Sequence, residues 1–258
     1  MKKSQKEKLS DQIVKAFLKN KIIAPLPKKF TKKLSNAENF RRLCESKVNE
    51  PVIGFKAGGT GIPVMKKLKE KEPFYASIFR RNFIKSGKKV KINRSTLGIE
   101  LEVCYLIKKK FFNYYGKITK QNIAKFISHM APCIEVVGYR QRKKGIKSFG
   151  DLSSDFGANV KFLIGKKKKF KKINIGNLKT NIRNRKINQS VSGNTNTVYI
   201  NPLNSLKFVL NKLKKDKVNL NKDFYVFTGS TVGVVPILSK GLYVGKIDKL
   251  GSAKAIIT

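Results

Sequence analysis

The chain has 258 residues, a hydrophobic content of 40% and a formal net charge of +43, from 58 basic and 15 acidic side chains. Its length and its 17 Phe residues are sufficient for one large domain with a packed core, which excludes wholesale disorder. No apolar run has the roughly 20 residues that a membrane-spanning helix needs, and the basic N-terminus lacks the apolar core of a secretory signal. Three widely spaced cysteines give no disulfide framework. We therefore predict a cytoplasmic protein with no membrane association.

The net charge by itself suggests a nucleic-acid partner, because clustered Lys and Arg neutralise phosphates. Only nine of the 58 basic residues are Arg, however, and Arg is the residue that phosphate and base recognition favours. The chain is also rich in Ile and Asn, whose codons, like those of Lys, are A/T-rich. A genome of low G+C content accounts for this bias. We expect no nucleic-acid partner and interpret the charge as favouring small anionic substrates.

The first 50 residues have the pattern of helices. Ser10 is predicted to cap a first helix, and Ser35 with Glu38 forms an S-x-x-E capping box for a second. From Pro51 onward the sequence pattern changes to short apolar runs broken by Gly and Pro, which is typical of strands and turns. This division predicts an N-terminal helical segment at 1–50 and a catalytic domain at 51–258.

Three further helices are predicted among these strands. They span residues 61–72, residues 119–130 after a Thr119 cap, and residues 201–216, where Asn201 is the N-cap and Pro202 the first helical residue. The remainder, including the tail from residue 223, has the pattern of strands and turns, with exposed loops or edge strands at 166–172 and 183–196. The mixture predicts an α+β fold with an antiparallel C-terminal sheet.

Two of the scarce acidic residues lie close together in the apolar run Thr96–Ile107. Glu100 and Glu102 are two positions apart, so in a strand they point to the same face. Glu135 has a similar apolar setting in APCIEVVGYR. The alternative is that one or more of them pair with surface lysines. Together the three carboxylates predict an all-oxygen site for Mg²⁺ or Mn²⁺.

Other candidate residues lie beside Gly-rich turns. Lys56, in PVIGFKAGGTGIP, follows an apolar strand and would stabilise an oxyanion, or shuttle a proton if its pKa were lowered. Thr228, Gly229 and Ser230 end a strand and offer donors to a substrate carboxylate, although an ordinary tight turn is an equal alternative. Asp155 precedes an apolar strand and is a candidate for the same cavity.

Several motifs, in order along the chain, resemble the 2-keto-4-pentenoate hydratase branch of the fumarylacetoacetate hydrolase superfamily. The similar stretches begin near Pro51 and extend to the C-terminus. They are IGFKAGGTG, GIELEVCYLI, APCIEVVGYR, DLSSDFGANVKFLIG, NPLNSLKFVLNKL, VFTGSTVGVVPI and LGSAKAII. Each motif is weak alone, and the combination is specific.

The resemblance implies a layered β-roll or sandwich and a metal-dependent lyase that acts in the breakdown of aromatic compounds. It places a divalent metal, Mg²⁺ or Mn²⁺, on Glu100, Glu102 and Glu135, the family's lysine on Lys56, and its T-G-S loop on residues 228–230. Such enzymes add water to a 2-hydroxydienoic or 2-oxoalkenoic acid and give a 4-hydroxy-2-oxo acid. The family also implies a homo-oligomer.

This sequence departs from the family pattern at three places. Phe74 follows Pro73 where the family commonly has an acid, Gly138 and Tyr139 replace an Asp-Ser pair, and Ile200 precedes Asn201 where the family has Gly-His. These changes leave the predicted metal ligands in place, but they weaken what the resemblance implies about the particular reaction.

Hydration is the leading hypothesis for the reaction. The enzyme alternatives are decarboxylation of a 2-oxo diacid and hydrolysis of an acylpyruvate-type C–C bond. Hydrolysis would need a His–Glu pair, and the single histidine, His129, is interpreted as a packing or surface residue. A non-catalytic binding protein of the same fold is the remaining alternative, and Phe74 supports it.

Overall fold

The computed structural model describes residues 4–141, 143, 145–171 and 173–258. The helices are α1 (Gln5–Lys19), α2 (Leu34–Ser46), α3 (Ile62–Lys67), α4 (Phe149–Ser154) and α5 (Pro202–Lys215). The strands are β1 (Val52–Gly58), β2 (Phe74–Phe79), β3 (Phe83–Lys85), β4 (Lys89–Val90), β5 (Thr96–Ile107), β6 (Ile127–Gly138), β7 (Asn159–Ile164), β8 (Lys168–Lys169), β9 (Lys179–Asn184), β10 (Gln189–Asn194), β11 (Phe224–Ser230), β12 (Gly241–Ile247) and β13 (Gly251–Ile257). Within these ranges, no helix is long and apolar enough to cross a membrane.

Two sheets form the layers of the fold. The larger has the order β2-β1-β11-β5-β6-β7-β3, with β8 paired to β6, and the smaller has the order β10-β9-β12-β13-β4. A Cβ at Gly245 of β12 would lie 2.6 Å from Leu101 Cδ1 of β5 and 3.3 Å from Ile134 Cγ1 of β6. This contact joins the two layers through one apolar core, to which α5 contributes Leu206 and Leu210. The predicted α+β fold is confirmed.

Strands β5 and β6 each have one face in this core and one face turned away from it. Leu101 and Val103 lie in the core, and because side chains alternate along a strand, Glu100 and Glu102 point to the opposite face. The strand predicted at Thr96–Ile107 is confirmed at both ends. Its pairing with β6 places Glu135 directly opposite Glu100, so all three carboxylates share one face.

The helix starts predicted in the N-terminal segment are wrong. Helix α1 begins after Ser4, whose hydroxyl accepts from the Glu7 amide in a capping box, whereas Ser10 lies inside the helix and donates to the Glu7 carbonyl. Helix α2 begins after Lys33, which places Ser35 in its first turn. A Ser is favoured at an N-cap, but it is also accommodated inside a helix, where its hydroxyl can bond back to a preceding carbonyl. The sequence alone therefore does not distinguish an N-cap Ser from a Ser in the first turns.

The helix predicted at 119–130 is also wrong. A single 3-10 turn covers Ile123–Phe126, and β6 begins at Ile127. The apolar spacing suited a helix, but Ile127 and Met130 pair across to Ile107 and Tyr105 of β5. Long-range pairing thus overrides the local pattern.

The other two predicted helices exist. The one predicted at 61–72 is shorter, at Ile62–Lys67, and in α5 the Asn201 cap and Pro202 are confirmed. The segments predicted as exposed loops or edge strands contain the two-residue β8 and the β9–β10 hairpin.

Helix α1 is attached to the rest of the chain through an aromatic contact. The ring of Phe17 stacks on Phe156 with centroids 4.1 Å apart, and the Arg140 guanidinium lies 5.0 Å from the Phe17 centroid. Arg140 is held there by a buried ion pair with Asp155, at 2.8 Å. The boundary at residue 50 stays a prediction, although the helices of 1–50 share this apolar cluster with residues beyond it.

Replacing Phe17 should test this attachment. Phe17→Ala removes a buried ring from the stack and is expected to lower the free energy of unfolding by about 3–5 kcal/mol, as measured by urea denaturation. The control is Leu18→Ala, which removes the neighbouring, more exposed side chain and should cost less than about 1 kcal/mol. Equal losses in the two variants would contradict the docking described above.

Candidate metal centre and its cavity

Three carboxylates converge on the face of the main sheet that points away from the apolar core. One oxygen each from Glu100, Glu102 and Glu135 lies within 4.8 Å of the others. Glu102 and Glu135 are fully buried, while Glu100 is partly exposed. The convergence follows from the β5–β6 register, since the two glutamates of β5 are two residues apart and Glu135 lies opposite the first of them.

The carboxylates have two direct partners among the described side chains and backbone groups. Lys56 of β1 donates to both oxygens of Glu135, at 2.7 and 2.8 Å. The backbone N–H of Gly229 donates to Glu102 Oε2 at 3.0 Å, while Glu102 Oε1 is buried without any partner.

The Gly229 amide is free to reach Glu102 because β11 has a bulge there. The pairing of β11 with β5 shifts register between Phe227 and Ser230, which releases this N–H from the ladder. Gly229 has φ +105°, and a Cβ at this position would overlap the side chain of Thr60. Glycine is therefore required at this point for two reasons, the backbone angle and the close approach of Thr60.

The charges of the cluster do not balance. Three carboxylates face one ammonium, so full ionisation leaves two negative charges buried. Burial raises the pKa of all three carboxyls, Lys56 opposes the rise, and the net pKa is above the ordinary value in each, reaching about 7 for Glu100. Burial alone would lower the pKa of Lys56, but Glu135, Glu100 and Glu102 more than offset that effect and raise it. The lowered pKa that proton shuttling by Lys56 would need is therefore not found.

This arrangement fits a hard divalent cation. Carboxylate oxygens are the ligands that Mg²⁺ and Mn²⁺ prefer, and a dication would match the two uncompensated charges. The orphaned Glu102 Oε1 offers an unused ligand atom, since a buried charged oxygen is costly without a partner. Glu100, Glu102 and Glu135 would hold the ion, leaving further coordination positions for water or substrate oxygens.

On its Glu100 side the centre borders a cavity of about 530 Å³, whereas Glu102 and Glu135 are not among the lining residues. Lys56 and Glu100 line it, together with the glycine-rich turn at 58–61 and Ser230. Most of the remaining wall is apolar. Its apolar side chains are Ile62, Pro63, Val64, Leu68, Phe74, Leu97, Val137, Ile146, Leu152 and Val234.

The residues predicted for substrate binding have different surroundings. Ser230 and Gly229 line the cavity, whereas the Thr228 hydroxyl is buried and donates to the Val103 carbonyl. Asp155 is not among the lining residues, and its carboxylate is bound to Arg140 at 2.8 Å and to the Arg140 amide at 2.5 Å. The structure thus assigns Asp155 to the anchoring of α1. It does not bring Asp155 to the cavity.

His129, interpreted from the sequence as a packing or surface residue of a helix, is half-buried, lies on strand β6 and does not line the cavity. It occupies the β6 end that pairs with Lys169 of β8, and the lining described above includes no histidine.

The cavity wall includes residues that the sequence did not reveal as a set. Phe74, noted only as a departure from the family pattern, packs edge-on against Phe149 with centroids 5.7 Å apart. Val64, Ile146 and Val234 come from three separate segments. No spacing in the sequence links them, and only the fold could show that they meet.

No protein-family model matches the chain, and no curated protein matches it by sequence. Solved structures do match in fold. The 4-oxalocrotonate decarboxylase from Pseudomonas putida G7, complexed with magnesium and adipate, matches with a TM-score of 0.83 and 18% identity over 100% of this chain and 99% of that one.

Two further structures match less completely. The 5-carboxymethyl-2-hydroxymuconate delta-isomerase from Mycobacterium smegmatis has a TM-score of 0.57 and 13% identity over 81% of this chain and 78% of that one. A protein assigned to the fumarylacetoacetate hydrolase family from Yersinia pestis CO92 has a TM-score of 0.56 and 14% identity over 82% and 95%. At these identities the likeness shows the fold alone.

The raised pKa of Glu100 predicts how acid affects the metal-free protein. Because its pKa in the folded state, about 7, exceeds the ordinary 4.5, ionisation of Glu100 costs stability that accumulates between these pH values and is complete above them. Glu100→Gln cannot ionise. In EDTA its melting temperature should exceed that of the wild type near pH 8, and the difference should shrink toward pH 5. A difference that grows on acidification would contradict the prediction.

Metal binding should depend on the orphaned carboxylate. Glu102→Gln is expected to weaken Mg²⁺ or Mn²⁺ binding on the order of 100-fold, measured by titration of the free protein. Asp248→Asn is the matched control, because Asp248 is a carboxylate in an exposed pair with Lys246, and it should bind the metal as the wild type does. Unchanged affinity in Glu102→Gln would exclude this residue as a ligand.

Proposed function

We propose that the protein is a divalent-metal-dependent lyase of the hydratase branch of the fumarylacetoacetate hydrolase superfamily. It would add water to a 2-hydroxydienoic or 2-oxoalkenoic acid and give a 4-hydroxy-2-oxo acid. One observation carries the proposal. Three carboxylates with an unbalanced charge lie beside a lysine at the end of a mostly apolar cavity. The sequence motifs, in the order found here, add the choice of branch.

Glu100, Glu102 and Glu135 would hold the ion, and Mg²⁺ or Mn²⁺ is the expected cofactor. When bound, such an ion supplies Lewis acidity to the carboxylate and 2-oxo oxygens of the substrate. The chain contributes the position of the ligands. Gly229 fixes one oxygen of Glu102, and Lys56 fixes both oxygens of Glu135. The carboxylates are thus partly oriented by groups that are not ligands, as in other metal sites.

Lys56 is the proposed catalytic residue. Its ammonium has three N–H donors, and Glu135 accepts at 2.7 and 2.8 Å, so one donor is left for a substrate oxygen. The side chain is nearly fully buried and lines the cavity. In such a dry site a hydrogen bond to an oxygen that gains negative charge during the reaction is strong. We assign Lys56 to charge stabilisation at the 2-oxo oxygen.

Ser230 is the proposed substrate contact of the loop at 228–230. Its hydroxyl lines the cavity and donates to the Gly233 carbonyl at 2.8 Å, and after rotation it would donate its proton to a substrate carboxylate instead. Gly229 and Thr228 act indirectly in this proposal. The first holds Glu102, and the second holds the end of β11 against β5.

The acylpyruvate hydrolase alternative has less support. It needs a histidine that acts as a general base with a carboxylate, and the described cavity lining has none. His129 lies at the far end of β6 beside Lys169. The proposal of a lyase needs no such residue.

The proposal is tested by incubating the protein with 2-hydroxypenta-2,4-dienoate and longer 2-hydroxydienoates, with Mg²⁺ or Mn²⁺, and following the loss of dienol absorbance. We expect turnover that disappears in EDTA. Lys56→Met should lower kcat on the order of 100-fold while keeping the Mg²⁺-dependent rise in melting temperature. Lys254→Met removes an exposed lysine outside the cavity and should leave the rate unchanged.

Two outcomes would contradict the proposal. Wild-type turnover in Lys56→Met would remove the catalytic role of this lysine. The absence of turnover for every dienoate, in protein that binds Mg²⁺, would remove the hydratase proposal and leave a decarboxylase of 2-oxo diacids or a non-catalytic binding protein of the same fold.

A further inference from the structure

We infer that the substrate has a single carboxylate, at its reacting end, and an apolar chain or ring at the other end. The inference rests on the proposed function for the position of the reacting end, and it specifies the substrate class. Four features of the cavity support it. They are the strand positions next to the carboxylates, the aromatic wall beside Lys56, the exposed apolar rim and the distribution of charge.

The first feature lies on β5 and β6. Glu100 and Glu135 face each other, and the next pair on the same face toward the end of these strands is Gly98 and Val137. Val137 lines the cavity, while the space above Gly98 is taken by the Val235 carbonyl, which accepts from the Ile99 amide, and by Val234, whose Cγ1 would lie 2.9 Å from any Cβ added there. The surface therefore becomes apolar one residue pair away from the proposed ligands.

The second feature lies on β1 and β2. Two residues beyond Lys56 on the same face is Gly58, whose cross-strand partner is Phe74. A Cβ at Gly58 would collide with the Phe74 ring, so this ring covers the glycine. Phe74 in turn packs against Phe149. A substrate bound by its oxygens near Lys56 would therefore extend past an aromatic surface.

The third feature is the rim. Val64, Ile146 and Val234 are 47%, 39% and 50% exposed, and all three line this cavity. A single exposed aliphatic side chain is normal on a protein surface. Three of them, from α3 and two separate loops, converge on one opening. Convergent exposed apolar side chains indicate a surface that binds an apolar group.

The fourth feature is charge. The chain has 58 basic residues, yet Lys56 is the one Lys or Arg among the described residues that line the cavity. Its ammonium already binds Glu135. Apart from Glu100, the other polar side chains of the lining, Thr60, Asn196, Thr197 and Ser230, are neutral. A second carboxylate on the substrate would therefore leave water without a cation to receive it, which is costly. Burial of a distal alkyl or aryl group would instead increase the binding affinity, by about fourfold for each methylene.

The inference is tested by calorimetric binding of unreactive 2-oxo acids to the Mg²⁺-loaded protein. The probes are 2-oxopentanoate, 2-oxooctanoate and 2-oxooctanedioate. We expect affinity to rise about fourfold per added methylene from the first to the second. The diacid, of equal length, should bind at least about tenfold more weakly than 2-oxooctanoate. Equal or tighter binding of the diacid, or no dependence on chain length, would overturn the inference.

A pair of matched variants locates the apolar end in the cavity. Val64→Lys places a cation at the rim, so it should weaken binding of 2-oxooctanoate and strengthen that of the diacid. Leu238→Lys is the control, because Leu238 is 69% exposed and does not line the cavity. It should leave both affinities as in the wild type. The same ratio of affinities in Val64→Lys and Leu238→Lys would overturn the placement.

These measurements separate failure of the inference from failure of the proposed reaction. If dienoates are turned over but the affinity for 2-oxo acids does not depend on the length of their alkyl chain, the proposed reaction is supported and the inference is wrong. If the affinity rises with the length of the alkyl chain but no dienoate is turned over, the inference is supported and the proposed reaction is wrong.

Discussion

Three carboxylates and one ammonium share the face of the main sheet that points away from the apolar core, and full ionisation would leave two negative charges there without a partner. Glu102 and Glu135 are fully buried, Glu100 is partly exposed, and Lys56 is the one ammonium within hydrogen-bonding distance in the described part of the chain. Burying charge is unfavourable unless it is matched, so the cluster is costly by itself. A dication that matches the charge would relieve this cost, which explains why a metal and the fold would stabilise each other.

The same two strands support both the core and the site. On β5, Leu101 and Val103 face the second sheet, while Glu100 and Glu102 point to the opposite face, where Glu100 lines the cavity. A slip of one residue in the β5–β6 register would exchange these faces and bury the carboxylates in the apolar core. The register is therefore set by hydrophobic burial on one face, and the geometry of the carboxylates on the other face follows from it.

The cavity differs in character from the rest of this basic molecule. Lysines are abundant along the chain, yet most side chains of the described wall are aliphatic or aromatic, and Lys56 is its one cation. The overall charge would attract anions to the surface by long-range steering. The cavity would then select among them by the character of the non-reacting end. The overall charge would thus affect the approach of a substrate, and the lining of the cavity would affect which substrate is bound.

Part of the fold and of the candidate site could be predicted from the sequence, because it depends on the spacing of residues within a single segment. The alternation in Thr96–Ile107 placed Glu100 and Glu102 on one face, and Asn201 with Pro202 marked the start of α5. Local patterns failed where distant pairing decides the conformation. The residues at 119–130 have helical spacing, but β5 offers Met130 and its neighbours a strand partner.

The sequence by itself determined the two faces of β5, the α+β mixture and the scarcity of acid that made three glutamates conspicuous. Only the tertiary structure brought Lys56 to Glu135, 79 residues away, bound Asp155 to Arg140 away from the cavity, and gathered Phe74 with Val64, Ile146 and Val234 into one wall. The physical reason is that a strand's period is a property of neighbouring residues. The contacts across sheets and loops, by contrast, depend on how every segment buries its apolar face at once.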